Sequence, residues 1–128
     1  MPTSERPNIV EIIWHDLGDW LSCYGREEIP SPSLQTLAEE GVVFDHHFCS
    51  APQCSPSRSS ILTGLYPHQA GVGGMTKDLG TPAYQGYLND SCITIAEALK
   101  AGGYQTYMSG KLHCGGSYNV CRPETWSP

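Results

Sequence analysis

A chain of 128 residues, 39% hydrophobic and with a formal net charge of −6, has the size of one domain and an ordinary globular composition. The acidic balance argues against nucleic-acid binding, which needs a basic face. No apolar run approaches the roughly 18–20 residues that cross a bilayer, which argues against a membrane partner. The opening residues, Met1-Pro2-Thr3-Ser4-Glu5-Arg6, lack the apolar centre of a secretory signal. The chain as given therefore reads as cytoplasmic, or as periplasmic or secreted where a signal has been removed. Cys23, Cys49, Cys54, Cys92, Cys114 and Cys121 are scattered and follow neither a disulfide framework nor zinc spacing.

In chain order, residues 8–14 form a β-branched, apolar run broken only by Glu11, which predicts a buried parallel strand. His15-Asp16-Leu17-Gly18-Asp19 follows at its carboxyl end, where ligands bind in open α/β sheets. Taken alone, His15 and Asp16 are a polar pair closing a strand. Cys23 is expected to be a small buried residue. Ser31 before Pro32 predicts a helix start, 34–40 continue it, and Gly41 ends it. A second strand is expected over 42–45. His46 and His47 follow, and neighbours in an extended segment point opposite ways, so they read as structural or solvent-facing.

The most informative stretch is 49–71, CSAPQCSPSRSSILTGLYPHQAG. Pro56 suits the first turn of a helix because it has no N–H to donate. Ser57, Ser59, Ser60, Ile61 and Leu62 continue the helix, and Gly64 stops it. Cys54 then sits at the helix N-terminus, where unpaired amides and the dipole favour negative charge. Arg58 lies one turn on, along the same face. A nucleophile, an anion-binding helix end and a guanidinium suit attack on a tetrahedral oxyanion. In isolation, Cys54 would be an inert, half-buried thiol. His68 is expected to pack the turn after the helix.

Residues 72–89 are rich in Gly, Pro, Tyr and Thr and read as a long surface loop. A helix is expected over 91–102, with Thr94 as a possible start, Ile95, Ala96, Ala98 and Leu99 as its apolar face, and Gly102-Gly103 as its stop. A third strand is expected over 104–109. Lys111-Leu112-His113 follows, combining a cation with a group that titrates near neutrality.

Cys54-Ser55-Pro56-Ser57-Arg58, extended by Leu62-Thr63-Gly64-Leu65-Tyr66-Pro67-His68, resembles the signature of the type I sulfatases of the alkaline-phosphatase-like superfamily. The resemblance runs from Pro7 to about Gly115. In that family the cysteine of Cys-x-Pro-x-Arg is oxidised to formylglycine by a formylglycine-generating enzyme that reads the cysteine, proline and arginine. The hydrated aldehyde is the nucleophile. The resemblance implies that Cys54 is catalytic and also contacts the metal, and that Arg58 orients the nucleophile. Gly110-Lys111-Leu112-His113 is similar to the family's Gly-Lys-Trp-His segment, with Leu112 in place of tryptophan. It implies that Lys111 binds the sulfate oxygens and that His113 binds the nucleophile or leaving-group region. Asp16 matches the second of two adjacent acidic residues that hold a divalent cation in the family, and His15 stands where the first is expected. Oxygen donors favour Ca²⁺ or Mg²⁺, whereas an imidazole at His15 shifts preference toward transition metals. Alternatively, Asp16 ligates alone.

The implied fold is α/β, a partial, mostly parallel sheet with flanking helices, forming the N-terminal part of an alkaline-phosphatase-like fold. By the same resemblance, the remaining metal ligands and sulfate-pocket residues lie beyond this span. Residues 1–128 then read as an incomplete catalytic domain, with 116–128 as an irregular tail. His15-Asp16-Leu17-Gly18 resembles the sugar N-sulfatase-like branch, and the region from Met75 to Lys111 the arylsulfatase-like one. The implied activity is hydrolysis of small-molecule or carbohydrate sulfate esters or sulfamates. Two alternatives stand beside it: a phosphomonoester or phosphonate hydrolase of the same superfamily, and a non-catalytic, sulfatase-derived fragment.

Overall fold

The computed structural model describes residues 6–75 and 77–115, so the tail expected over 116–128 lies outside the described residues. The chain divides into two compact units, residues 1–47 and 48–128. Among the described residues no helix is long and apolar enough to cross a membrane.

In the first unit, helix α1 spans Pro32–Glu40. Pro32 at its first position costs no hydrogen bond, since that amide would be unpaired anyway. Ser31 is the residue before the helix, as expected, but its hydroxyl does not cap it. Ser31 Oγ instead accepts from the Ser22 amide at 3.1 Å and lies 2.7 Å from Ser22 Oγ. These bonds tie the helix start to a 3₁₀ turn, Ser22–Tyr24, which Gly25 closes with φ 80°. Cys23, expected to be buried, is half-buried in that turn.

In the second unit, helix α2 spans Cys54–Thr63, and Gly64 (φ 70°) ends it by donating its N–H to Ser60 O. The helix buries Ser55, Pro56, Arg58 and Ser59, whereas Ile61 remains 41% exposed. Ser59 and Thr63 bond back to their own turn: Ser59 Oγ donates to Pro56 O and Thr63 Oγ1 to Ser59 O, both at 2.7 Å. Helix α3 spans Ile95–Ala101, shorter than the expected 91–102. A reciprocal cap fixes its start: Thr94 Oγ1 accepts from the Glu97 amide at 3.3 Å, and Glu97 Oε2 accepts from the Thr94 amide at 2.7 Å. Of its expected apolar face, Ala96 is buried and Ile95 is 43% exposed.

The expected sheet is not formed among the described residues. Segments 8–14, 42–45 and 104–109 carry no strand pairing, and their apolar side chains stand in solvent: Val10 is 80% exposed, Val42 76% and Tyr107 81%. A parallel ladder needs neighbouring strands and a helical layer on both faces. The first two segments belong to one unit and the third to the other. Helices of 9, 10 and 7 residues offer little to cover them.

The described residues of the loop expected over 72–89 form no helix or ladder and are mostly exposed, as expected, but Val72 at its start joins the second unit's interior. Val72 and Ala70 are fully buried, and Cys114 is 3% exposed. Isolated antiparallel bridges pair Val72 with Tyr84 and Tyr87 with Gly115. The Asn89 amide donates to Ala70 O at 2.9 Å, and the Gly73 amide to Ala83 O at 2.9 Å. Polar side chains close the same layer: Asn89 Nδ2 donates to Gln69 O and Gln85 Nε2 to Asn89 Oδ1, each at 2.8 Å. Cys92 packs against it, its Sγ 3.8 Å from Ala70 O. Burial pushes the Cys92 thiol up, with Glu97 adding to the effect and an Asn89 backbone hydrogen bond opposing it. A raised pKa leaves less thiolate at a given pH. Iodoacetamide at about pH 8 should therefore label exposed Cys49 at least about fivefold faster than Cys92. Peptide mass spectrometry over time reads this directly, and equal rates would contradict the packing around Ala70.

Candidate active site

The second unit brings together Cys54, Arg58, Lys111 and His113 through two links between helix α2 and the 111–115 segment. Cys54 is the first residue of α2, preceded by extended Gln53 (φ −135°, ψ 144°) that provides no side-chain cap. Amides of the first turn are therefore not satisfied by a cap, which leaves the helix end able to receive an anion. The cysteine is half-buried, open enough for chemistry at Sγ.

Arg58 is only 9% exposed. Its Nη1 donates to Lys111 O at 2.6 Å, across 53 residues of sequence. Sixty residues after Cys54, Cys114 supplies the second link. Its thiol is buried and donates toward Ser55 O at 3.8 Å, with Leu112 O at 3.6 Å. The carbonyl of Cys114 then accepts from the Leu88 amide at 3.3 Å. The segment is thus held on one side by α2 and on the other by the layer around Val72.

Between these anchors His113 adopts φ 63°, a left-handed conformation uncommon outside glycine, though histidine is among the residues enriched there. The Lys111 side chain is exposed and His113 half-buried. This turn directs the two residues differently from an extended strand end. The role of Cys114 was not assigned from sequence. The available signal was composition alone, cysteine being among the most frequently buried residue types.

The first unit holds the other two expected site residues. His15 Nδ1 and Asp16 Oδ2 are 3.2 Å apart, and their side chains are 47% and 83% exposed. Asp16 has φ 55°. Among the described residues, no group of three or more His, Cys, Asp or Glu side chains could hold a metal ion. Two exposed donors in contact with each other fall short of the six to eight oxygens that calcium takes, so the described residues do not fit a divalent-cation site by themselves. His46 and His47 are exposed, in keeping with a solvent-facing reading. His68 is exposed as well, stacked on Tyr66 with ring centroids 6.0 Å apart.

The Sulfatase family model matches residues 7–123, and the chain belongs to the sulfatase family. It is 43% identical over 115 residues to an arylsulfatase of Klebsiella aerogenes, covering 87% of this chain and 24% of that protein. It is 40% identical over 127 residues to the steryl-sulfatase of Mus musculus, covering 97% of this chain and 20% of that protein. Identity is 35% over 116 residues to an N-acetylgalactosamine-6-O-sulfatase of Bacteroides thetaiotaomicron, covering 88% of this chain and 21% of that protein. The chain therefore spans about a fifth to a quarter of the length of these curated relatives. Membership implies the α/β, alkaline-phosphatase-like class expected from the sequence.

Proposed function

We propose that this chain is the nucleophile-bearing part of a sulfuric ester hydrolase acting on small-molecule or carbohydrate sulfates. One observation carries the reading: the segment bearing Lys111 and His113 is bonded directly to the helix that begins at Cys54, through Arg58 Nη1 and Lys111 O at 2.6 Å. The segments that carry a nucleophile position, a cation and an imidazole are thereby joined within one small unit.

Cys54 is the position of the nucleophile and Lys111 the sulfate-binding cation. A formylglycine at position 54 supplies, once hydrated, an oxygen nucleophile for sulfur and an aldehyde to which the site returns when sulfate leaves. The first residue of α2 fits such a group: it is small and only half-buried. Ser55 and Pro56, both buried, fix the turn that presents it. Lys111 offsets the charge on the non-bridging sulfate oxygens. His113 exchanges a proton at the nucleophile or leaving oxygen. Asp16, with or without His15, is a contributor to a divalent-cation site, calcium by its hard oxygen donor. Segments 8–14, 42–45 and 104–109 become parallel strands of a common sheet when partner strands cover them. Maturation requires a formylglycine-generating enzyme, and the names of the relatives support sulfate esters, carbohydrate sulfates included, as the substrate class.

The test is the mass of the Cys54 peptide from a host that carries the maturation system. Conversion of thiol to aldehyde lowers the mass by about 18 Da, and we expect that species. A fully alkylatable thiol from the same host would defeat the formylglycine reading and favour a non-catalytic fragment. A panel of aryl sulfates and aryl phosphates, given to the converted protein, separates the sulfatase from the phosphatase reading.

A further inference from the structure

We infer that Arg58 is a positioning residue: it sets the backbone of the Lys111–His113 turn by holding the Lys111 carbonyl, and it reaches sulfate only through that turn. This rests on the sulfatase reading of the same site. Three observations converge on it. Arg58 is nearly buried, at 9% exposure, which suits a structural donor better than a group that meets ligand from solvent. Its Nη1 is committed to Lys111 O at 2.6 Å, a short hydrogen bond from a charged donor. The bonded carbonyl belongs to Lys111 itself, two residues before the left-handed His113 (φ 63°).

Such a φ is held only when the surroundings over-determine it. Here the anchors lie on either side of His113: Arg58 at Lys111 O, and Cys114 with its thiol toward Ser55 O and its carbonyl on the Leu88 amide. Removing the guanidinium frees one side of the turn. Lys111 and His113 then lose their common geometry without losing their chemistry.

The experiment uses this 128-residue chain with Arg58→Met, which keeps the apolar stem and removes charge and donors, and Arg58→Lys, which keeps the charge on a shorter head. Amide exchange of Leu88 reports the position of the Cys114 carbonyl. The Gly64 and Glu97 amides, bonded within α2 and the α3 cap, report the fold. The His113 ring resonances, followed during titration with inorganic sulfate, report the site. We expect Leu88 to exchange about tenfold faster or more in both variants, the size of one lost charge-assisted hydrogen bond, with Gly64 and Glu97 unchanged. We expect sulfate affinity to fall about tenfold in both as well, including the variant that retains the charge.

Unchanged Leu88 exchange would overturn the inference. So would full recovery of sulfate affinity by Arg58→Lys, which would make Arg58 a charge and nothing more. If Arg58→Met also loses Gly64 and Glu97 protection, the Arg58→Lys chain decides the matter by the same two criteria. A wild-type chain whose His113 does not respond to sulfate would count against the sulfatase reading, while the exchange of Leu88 still judges the tether.

Discussion

Replacing Cys54 by alanine should lower turnover of an aryl sulfate by about 10⁴-fold or more on the function proposed above, because the group assigned there to bond sulfur is gone. The loss should appear in kcat, since Lys111 and His113, the proposed sulfate-binding pair, remain. The fold should barely notice. Cys54 is half-buried at the first position of α2, so removal of its sulfur costs about 1 kcal/mol or less. Melting temperature measured beside turnover separates the two effects. Turnover within tenfold of the parent would show that the nucleophile lies elsewhere, whatever the family signature implies.

The second large effect is on stability. Gly71 has φ 90°, and a Cβ there would lie 2.7 Å from Asn89 Oδ1 and 2.8 Å from both Gln85 Nε2 and Tyr87 O. Gly71→Ala should therefore destabilise the chain by about 3 kcal/mol or more, combining a left-handed backbone with a clash in the layer around Val72. Gly80 provides the control. Its φ is 79°, yet nothing lies within 4 Å of a Cβ at that position, so Gly80→Ala should cost only the conformational part, about 1–2 kcal/mol. Urea unfolding of the two variants measures the difference, and equal costs would contradict the packing drawn between residues 69–74 and 83–89.

Legibility followed the range of the interactions. All three helices could be placed from sequence because their ends are local: Pro32 at a first turn, Gly64 after Thr63, and Gly102-Gly103 after Ala101. The overlong expectation for α3 is corrected by the Thr94–Glu97 capping box, which fixes the helix start at Thr94 and leaves 91–93 outside it. Segments 8–14, 42–45 and 104–109 look like strands because their β-branched residues suit a pleated, buried surface. Pairing is a property of neighbours, however, and this chain spans only about a fifth to a quarter of its relatives.

Within the site, Cys54, Arg58, Lys111 and His113 stood out because nucleophiles and cations are recognisable side chains. Their connection was not legible. A guanidinium bonded to a backbone carbonyl 53 residues away leaves no mark on the residue that supplies the carbonyl. Cys114 escaped notice for a related reason: its contribution is a buried thiol and a main-chain oxygen. Gly and Tyr in 72–89 point to surface, and most of its described residues are exposed; what they do not mark is Val72, buried by the close backbone approach that Gly71 and Gly73 allow.

The exposed apolar segments also govern how this polypeptide behaves as a colloid. Ile12, Phe44 and Tyr107 are 67%, 65% and 81% exposed, and short apolar stretches with unpaired backbone are templates for edge-to-edge association. What keeps such molecules dispersed is mutual repulsion, and here that repulsion comes from a net charge of −6 at neutral pH. It vanishes near the isoelectric point of about 5.2. Acidification toward that value removes the electrostatic barrier and leaves the exposed apolar segments, so solubility is set by the balance between net charge and that surface.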